Sequence, residues 1–352
     1  MRIDSKYSTL LNAMTMTRLP KYLWLPCLLL AALFVACTST DVDGSDVGQS
    51  PDSNASEADT ADDADDVNDD AHDGGDIPNG DQFSWAQEPL DIPGVSYHTF
   101  ESTAVDDTVG IHVFAPQPYH AQTDQDFPVL YWLHGSLGGR GGIEPLTQLF
   151  SYAMREGYVS PFLIVFLDAP PFSLWLDAYD GSANVEELYI TELVPFIDAE
   201  FRTIASPEGR YVEGFSMGGY GALRYAFLYP DIFGAASSLA AGPLSPDFSD
   251  TPAVDEERRQ AILDQLFGGD IQGYIDASPW TLAETEFDRF NGEVDLRLVM
   301  GELDATRANK EDFHEHLVQL DVDHDFFLIP DVGHQPVALH QGLGEDRWTF
   351  YP

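Results

Sequence analysis

The feature that most restricts the fold of this chain is the segment Gly-Phe-Ser-Met-Gly at residues 214–218. The spacing Gly-x-Ser-x-Gly is typical of a strained turn that leads from a strand into a helix and exposes the serine hydroxyl. A side chain at either glycine would clash as the turn closes, so glycine is the residue that suits both positions. The segment therefore predicts a buried strand before Ser216, a helix after it, and a candidate nucleophile at the turn.

The sequence after residue 94 alternates between strand and helix patterns. Residues 128–133 and 161–167 are continuous apolar runs, as expected for strands covered on both faces. This alternation predicts an α/β fold with a mostly parallel central sheet and helices on both faces. The other predicted elements are an opening hairpin (95–103 and 108–114), strands at 211–215, 235–240, 295–300 and 326–329, and helices at 184–201 (kinked at Pro195), 218–229, 254–267 and 310–320.

The beginning of the chain has the pattern of an export signal. Basic residues precede an apolar run at 22–36 that is shorter than the roughly 20 residues needed to span a bilayer. Phe-Val-Ala-Cys at 34–37 resembles a bacterial lipobox, so we predict a signal peptide at 1–36 and lipidation of Cys37. A plain cleaved signal and an uncleaved anchor are the alternatives. The only other cysteine, Cys27, lies in the signal, so the mature chain is expected to contain no disulfide.

The segment that follows is strongly acidic. Asp41 to Gln82 holds 15 acidic residues and no lysine or arginine. Such a segment cannot bury enough apolar surface to offset its ordering entropy, so residues 37–82 are predicted to be a disordered tether. We therefore expect one catalytic domain at 83–352, exported and held at a bacterial membrane, most simply the outer membrane or cell surface, through the lipid on Cys37.

Charge also restricts the partners of the predicted domain. Residues 83–352 carry a net charge of −32, and Lys310 is the only lysine after Lys21. Nucleic acid is excluded as a partner because there is no basic patch to neutralise phosphates. The acidity favours uncharged substrates and indicates adaptation to high external salt. The sequence does not indicate an oligomeric state.

Two further residues complete a candidate triad with Ser216 in chain order. Asp304 follows the strand predicted at 295–300, and His334 follows the last predicted strand. A serine hydroxyl is a poor nucleophile without a base, which His334 would supply, and an acid would hold the imidazole in the required tautomer. Glu302 lies in the same turn as Asp304 and is the alternative acid.

An oxyanion would need two backbone N–H donors. We expect one from Met217, the residue after the serine, and one from the loop at 134–138, where Ser136 is favoured over Leu137. His134 is expected to pack beneath that loop in a structural role. His340, the alternative to His334, is expected on the surface of a helix. His314 and His316 would point to different faces of a helix, so no metal site is predicted.

Four sequence blocks resemble the esterase family of α/β hydrolases that includes S-formylglutathione hydrolases, feruloyl and acetyl-xylan esterases, enterochelin esterases and mycolyltransferases. They are PVLYWLHG at 128–135, GFSMGGYGAL at 214–223, Tyr-Pro-Asp-x-Phe-Gly at 229–234, and Asp304 with Gly333-His334. The resemblance implies the α/β-hydrolase fold, with Ser216 as nucleophile, Asp304 as acid and His334 as base, and no cofactor. In relatives the region at 172–179 helps to line the substrate pocket, which makes Trp175 and Tyr179 pocket candidates. A purely structural aromatic cluster is the alternative.

These observations lead to one expected function and two alternatives. We expect a serine carboxylic-ester hydrolase that acts through an acyl-enzyme on uncharged esters, such as feruloyl or acetyl groups on polysaccharide. An acyltransferase would use the same triad and pass the acyl group to a sugar or lipid hydroxyl. A non-catalytic binding lipoprotein with the same fold is the other alternative.

Overall fold

The structure is a computed structural model that describes residues 83–248 and 255–351, with the backbone alone at 345–347. The predicted signal peptide, Cys37 and the acidic tether lie outside these residues. Within the two described ranges, no helix is both long and apolar enough to cross a bilayer. Trp85 is buried and its carbonyl accepts a hydrogen bond from the Gly110 N–H at 2.8 Å, so the folded part includes residues just before the first strand.

An eight-stranded sheet forms the centre of the described chain, in the order β1-β2-β4-β3-β5-β6-β7-β8. The β1–β2 and β2–β4 pairs are antiparallel, and every other pair is parallel. The predicted opening hairpin and mostly parallel sheet are therefore confirmed. The strands are β1 (Val95–Ser102), β2 (Asp107–Phe114), β3 (Val129–Leu133), β4 (Leu163–Leu167), β5 (Arg210–Phe215), β6 (Ala235–Leu239), β7 (Asp295–Gly301) and β8 (Asp325–Ile329).

Helices cover both faces of this sheet. In β3, Val129, Tyr131 and Leu133 belong to one hydrophobic cluster, while Leu130 and Trp132 belong to another. Because successive strand residues point to opposite faces, the two clusters are the two layers of core on either side of the sheet. The helices of the described residues are α1 (Gln117–Ala121), α2 (Arg140–Glu156), α3 (Val185–Glu187), α4 (Val194–Glu200), α5 (Met217–Leu228), α6 (Glu256–Phe267), α7 (Ile271–Ala277), α8 (Pro279–Thr285), α9 (Phe287–Phe290), α10 (Arg307–Gln319) and α11 (Pro336–Gly342).

The helices differ from the sequence expectation in two ways: α1, α2, α7, α8 and α9 were not predicted, and the chain before Pro195 has a different helical geometry. Helix α2 was not predicted, although it has 17 residues and begins inside the glycine-rich run at 138–142. Two glycines in its first turn and Pro145 weaken its intrinsic propensity, and burial of Ile143, Leu146 and Phe150 compensates. The kink expected at Pro195 takes the form of a π-helical segment, Leu188–Leu193, between α3 and α4. Proline has no N–H to donate, and the wider π turn accommodates that missing hydrogen bond.

The strand order decides which loops meet. Strands β5, β6, β7 and β8 are consecutive and parallel, so their carboxyl ends lie along one edge of the sheet. Ligands of open α/β sheets bind at this edge. The residues that follow β5, β7 and β8 are Ser216, the turn with Asp304, and the turn with His334.

Candidate active site

Ser216 lies between β5 and α5 with a strained backbone. Its φ is 56° and its ψ is −118°, a region that costs a non-glycine residue on the order of 1–3 kcal/mol. Two hydrogen bonds to the β6 side hold the turn: the Ser216 N–H donates to Leu239 O at 2.9 Å, and Gly242 N–H donates to Ser216 O at 3.1 Å. The neighbouring strand thus supports a conformation that the serine would not adopt by itself.

The two glycines of the turn are required by close backbone approach. A Cβ at Gly214 would collide with the carbonyl oxygen of Gly218, and a Cβ at Gly218 would collide with the carbonyl oxygen of Leu133. Neither obstacle is a side chain that could rotate away. The steric reason inferred from the sequence is therefore correct, and the structure adds that β3 supplies one of the obstacles.

Asp304 and His334 form a hydrogen-bonded pair near this turn. Asp304 Oδ2 lies 2.7 Å from His334 Nδ1, and the aromatic ring of Phe215, next to Ser216, lies 4.6 Å from the imidazole centre. The Asp304 side chain is 1% exposed and that of His334 is 36% exposed. The pair thus has a buried acid and a partly exposed imidazole that packs against Phe215, the residue before the strained serine. Glu302 is exposed and accepts a hydrogen bond from the Asp331 N–H at 3.4 Å instead of contacting His334.

The carboxylate of Asp304 has further donors that sequence reasoning missed. Its Oδ1 accepts from Thr306 N at 2.9 Å, from Thr306 Oγ1 at 2.8 Å and from Lys310 Nζ at 3.0 Å. Burial by itself would raise the pKa of the Asp304 carboxyl, but the hydrogen bond from His334 and the Lys310 ammonium outweigh it and hold the pKa well below its usual range. The acid is therefore ionised throughout the neutral pH range. The spacing of Asp304, Thr306 and Lys310 at the start of α10 was the available signal.

The loop after β3 runs directly past the serine. A Cβ on Gly135 would lie 3.3 Å from the Cβ of Ser216, so the backbone at Gly135 borders the turn. Met217 is the first residue of α5 and is buried, at the positive end of the helix dipole. These are the two segments from which the sequence predicted oxyanion donors. Leu137, the alternative to Ser136, has its side chain 69% exposed.

His134 and Asp168 support this loop from below. The imidazole of His134 is buried; its Nδ1 lies 2.7 Å from Gly135 O, and its Nε2 accepts a hydrogen bond from Ala169 N at 2.8 Å. Asp168 Oδ1 accepts from Gly139 N at 3.0 Å, and its other oxygen accepts from Gln87. The structural position expected for His134 is confirmed. The participation of Asp168, which follows β4, was not predicted.

The two predicted pocket residues lie apart. Trp175 is completely buried, its Nε1 donates to His134 O at 3.2 Å, and its ring packs against Tyr189. The expectation that Trp175 lines a substrate pocket is therefore wrong: it supports the β3 loop from within the core. Tyr179 is 73% exposed and lies against Gly268.

The surface position expected for His340 is also wrong. His340 lies on α11 but is completely buried, with Nε2 3.0 Å from Glu213 Oε1. Glu213 lies on β5 and also accepts from Arg297 at 2.9 Å and from Tyr351 at 2.6 Å. Burial would raise the pKa of Glu213, but His340 and Arg297 outweigh it and lower the pKa to about 2. The helical pattern around His340 is short, so the sequence did not show that the face of α11 with Leu339 and His340 packs into the core.

His314 and His316 point in different directions, as expected. His314 Nδ1 lies 2.8 Å from His324 Nε2, whereas the ring of His316 packs against Trp280. Within residues 83–248 and 255–351, no group of three or more potential metal ligands is assembled.

Comparison with known proteins agrees with this geometry. Residues 102–348, more than half of the chain, match the family model named "Putative esterase". An esterase of Mycobacterium tuberculosis is 30% identical over 261 residues, which cover 68% of this chain and 55% of that protein. The chain thus spans about half the length of the curated relatives it matches.

Solved structures show the same fold. A ferulic acid esterase superposes with a TM-score of 0.61 at 23% identity, covering 73% of this chain and 98% of its own. An S-formylglutathione hydrolase of Staphylococcus aureus superposes with a TM-score of 0.58 at 17% identity, covering 72% and 97%. Because these identities are low, the two structures establish the α/β-hydrolase fold alone. With the family match over residues 102–348, the chain belongs to the esterase family of α/β hydrolases.

Proposed function

We propose that this protein is a serine carboxylic-ester hydrolase that acts through an acyl-enzyme. The observation that carries the proposal is the 2.7 Å pair between Asp304 and His334, whose imidazole packs against Phe215, the residue before the strained Ser216. The Nδ1 of His334 faces Asp304, so its other ring nitrogen, Nε2, is the one available to take the proton of the serine hydroxyl.

The proposed reaction has two halves. Ser216 Oγ attacks the ester carbonyl while His334 takes its proton, and the N–H groups of Met217 and Ser136 stabilise the oxyanion. The ester C–O bond then breaks, and His334 returns the proton to the departing alcohol. In the second half His334 deprotonates a water, which attacks the acyl-serine, and the acid is released as the serine is reprotonated. No step requires a cofactor.

We propose uncharged esters as substrates, with feruloyl or acetyl groups on polysaccharide the first to test. The net charge of −32 over residues 83–352 disfavours anionic esters at low salt. Leu137, in the loop beside Ser216, and Leu303, next to Asp304, have side chains exposed by 69% and 66% and offer apolar contacts. The similarity to a ferulic acid esterase supports an aromatic acyl group.

Covalent labelling with a fluorophosphonate probe tests the nucleophile. The wild-type protein should be labelled at Ser216, and Ser216→Ala should abolish both labelling and hydrolysis of p-nitrophenyl acetate and methyl ferulate. The matched control is Ser238→Ala, a serine on the neighbouring strand, which should keep both. Folded wild-type protein that takes no label would refute the proposal and favour a binding protein. Transfer of the acyl group to an added alcohol in preference to water would instead identify an acyltransferase.

We also propose export with a lipid anchor on Cys37. The support is the sequence Phe-Val-Ala-Cys at 34–37 after a short apolar run, followed by an acidic segment suited to a tether. Metabolic labelling with an alkyne fatty acid should mark the wild-type protein and leave Cys37→Ala unmarked. Equal labelling of both forms would contradict the anchor.

A further inference from the structure

Lys310 is an unusual lysine in this sequence. The chain has three lysines, at positions 6, 21 and 310, so Lys310 is the only one in the described residues. It lies on α10 and is 2% exposed. Its ammonium donates to Asp304 Oδ1 at 3.0 Å and also to Thr306 Oγ1. Residues 83–248 and 255–351 thus contain arginine at every other Lys/Arg position and bury their one lysine against the acid of the proposed triad.

Burying this ammonium costs free energy that a surface lysine would not. Burial lowers the pKa of Lys310, and the Asp304 carboxylate only partly opposes that shift. If Asp304 only had to be held in place, the N–H and hydroxyl of Thr306 already donate to the same oxygen. What the lysine adds to these neutral donors is a full positive charge.

The two carboxylate oxygens of Asp304 contact different partners. Oδ2 faces His334 at 2.7 Å, and Oδ1 faces the ammonium at 3.0 Å. We propose that Lys310 is a positioning residue that acts through Asp304 and extends the activity of His334 to lower pH. This inference rests on the proposed function, because it assigns a role to the partner of the proposed acid.

The electrostatic reason concerns the net charge of the pair. When His334 is neutral the Asp304–His334 pair carries −1, and when it is protonated the pair is neutral. A fixed positive charge at Oδ1 favours the −1 state, in which the imidazole can accept the serine proton. Without that charge the −1 state of the pair is less favoured, so we expect activity to be lost earlier on acidification.

The other charged groups near the Asp304 and His334 turns are more exposed to solvent than the Lys310 ammonium. Glu302 and Asp331 are exposed, and the Arg307 side chain is 36% exposed and paired with Glu302 and Glu311. Water screens these charges much more than it screens a buried ammonium. Phe215, on the other side of His334, carries no charge.

The test measures the rate of fluorophosphonate labelling at Ser216, in the full-length protein, from pH 4.5 to 9. For Lys310→Met and Lys310→Gln we expect the pH of half-maximal rate on the acid side to rise by about one unit. Lys310→Gln can keep a hydrogen bond without the charge, so it separates the two contributions. The matched control, Arg307→Met, removes a nearby exposed cation and should shift the profile by less than about 0.3 units.

Three outcomes would overturn the inference. One is an unchanged acid limb in Lys310→Gln, which would assign the lysine a purely structural role. Another is an equal shift in Arg307→Met. The third is a wild-type protein that takes no label, which would overturn the proposed function along with this inference. Labelling at an unshifted pH would refute the inference alone, so the two failures are distinguishable.

If the Lys310 variants do not fold, a measurement on the wild-type protein tests the same inference. Lys6 and Lys21 lie in the proposed signal peptide, so the exported protein should give a single lysine ζ-¹⁵N signal, from Lys310; an unprocessed chain would give three, assigned with Lys6→Arg and Lys21→Arg. The Lys310 signal should shift with the same pH midpoint as the acid limb of labelling, because the ammonium senses the charge on His334 through Asp304. A signal that stays constant through that midpoint would overturn the inference.

Discussion

At the scale of single residues, the candidate site combines one strained position with one buried carboxylate. Ser216 is held at a φ of 56° by hydrogen bonds to Leu239, the last residue of β6, and to Gly242 in the loop that follows. Asp304 is buried yet ionised because His334, Thr306 and Lys310 all donate to it. Strain and buried charge both cost stability, and Ser216 and Asp304 bring the two together where chemistry is proposed.

The identity of the acid can be tested by a pair of substitutions. Asp304→Asn should lower kcat/KM for p-nitrophenyl acetate by about 10³–10⁴-fold, because the amide cannot stabilise the imidazolium or the required tautomer. Glu302→Gln should change it by less than about threefold, since Glu302 is exposed and does not contact His334. A larger loss in Glu302→Gln than in Asp304→Asn would reverse the assignment.

The sequence favoured Asp304 as the acid but left Glu302 as an alternative. Asp304 and Glu302 lie two residues apart in one turn, and both follow the same strand. Only the course of the chain after Gly301 directs the Asp304 side chain inward and leaves that of Glu302 in solvent. Sequence spacing limits how far a residue is from a strand end, whereas the side-chain direction depends on the local turn.

At the scale of elements, a buried polar cluster ties the strand before Ser216 to the helix after His334. Glu213 on β5 contacts His340 on α11, Arg297 on β7 and Tyr351 near the end of the chain. Helix α11 begins two residues after His334, so this cluster fixes the far side of the histidine turn. A buried ion pair is costly to break from one side because the remaining charge has no solvent.

We therefore expect His340→Ala to lower the free energy of unfolding by about 3 kcal/mol, since it leaves the Glu213 carboxylate short of a partner and opens a cavity. Urea unfolding at pH 7 measures this value. The matched control is His120→Ala, an exposed histidine on α1, which should change it by less than about 0.5 kcal/mol. Equal effects of the two substitutions would show that the cluster does not stabilise the fold.

At the scale of the whole molecule, the dominant property is negative charge. Residues 83–352 carry −32, and this self-repulsion opposes the compact state when it is not screened. The screening length falls from about 30 Å at 0.01 M salt to about 3 Å at 1 M. Stability should therefore depend on ionic strength more than in a domain of balanced charge.

The melting temperature should accordingly rise between 0.01 M and 1 M sodium chloride, and ester hydrolysis should rise with it. Most of the gain is expected below about 0.3 M, where screening changes fastest, and this separates charge screening from the general salting-out effect of molar salt. A melting temperature that is flat or falling over this range would contradict the interpretation of the acidity as an adaptation to salt.

The amino-acid sequence by itself determined the order and type of most elements, because continuous apolar runs, glycine and proline act locally. It also identified Ser216, Asp304 and His334 as candidates, since each follows a predicted strand. Only the tertiary structure decided what lies against them: the burial of Trp175 and His340, the Lys310 ammonium on Asp304, and the support of the β3 loop by Asp168. These contacts join residues from separate elements, and their distances depend on how the helices pack onto the sheet. The turn at Ser216, which restricts the fold most, could thus be predicted from the sequence, whereas the charged groups around Asp304 and His334 could not.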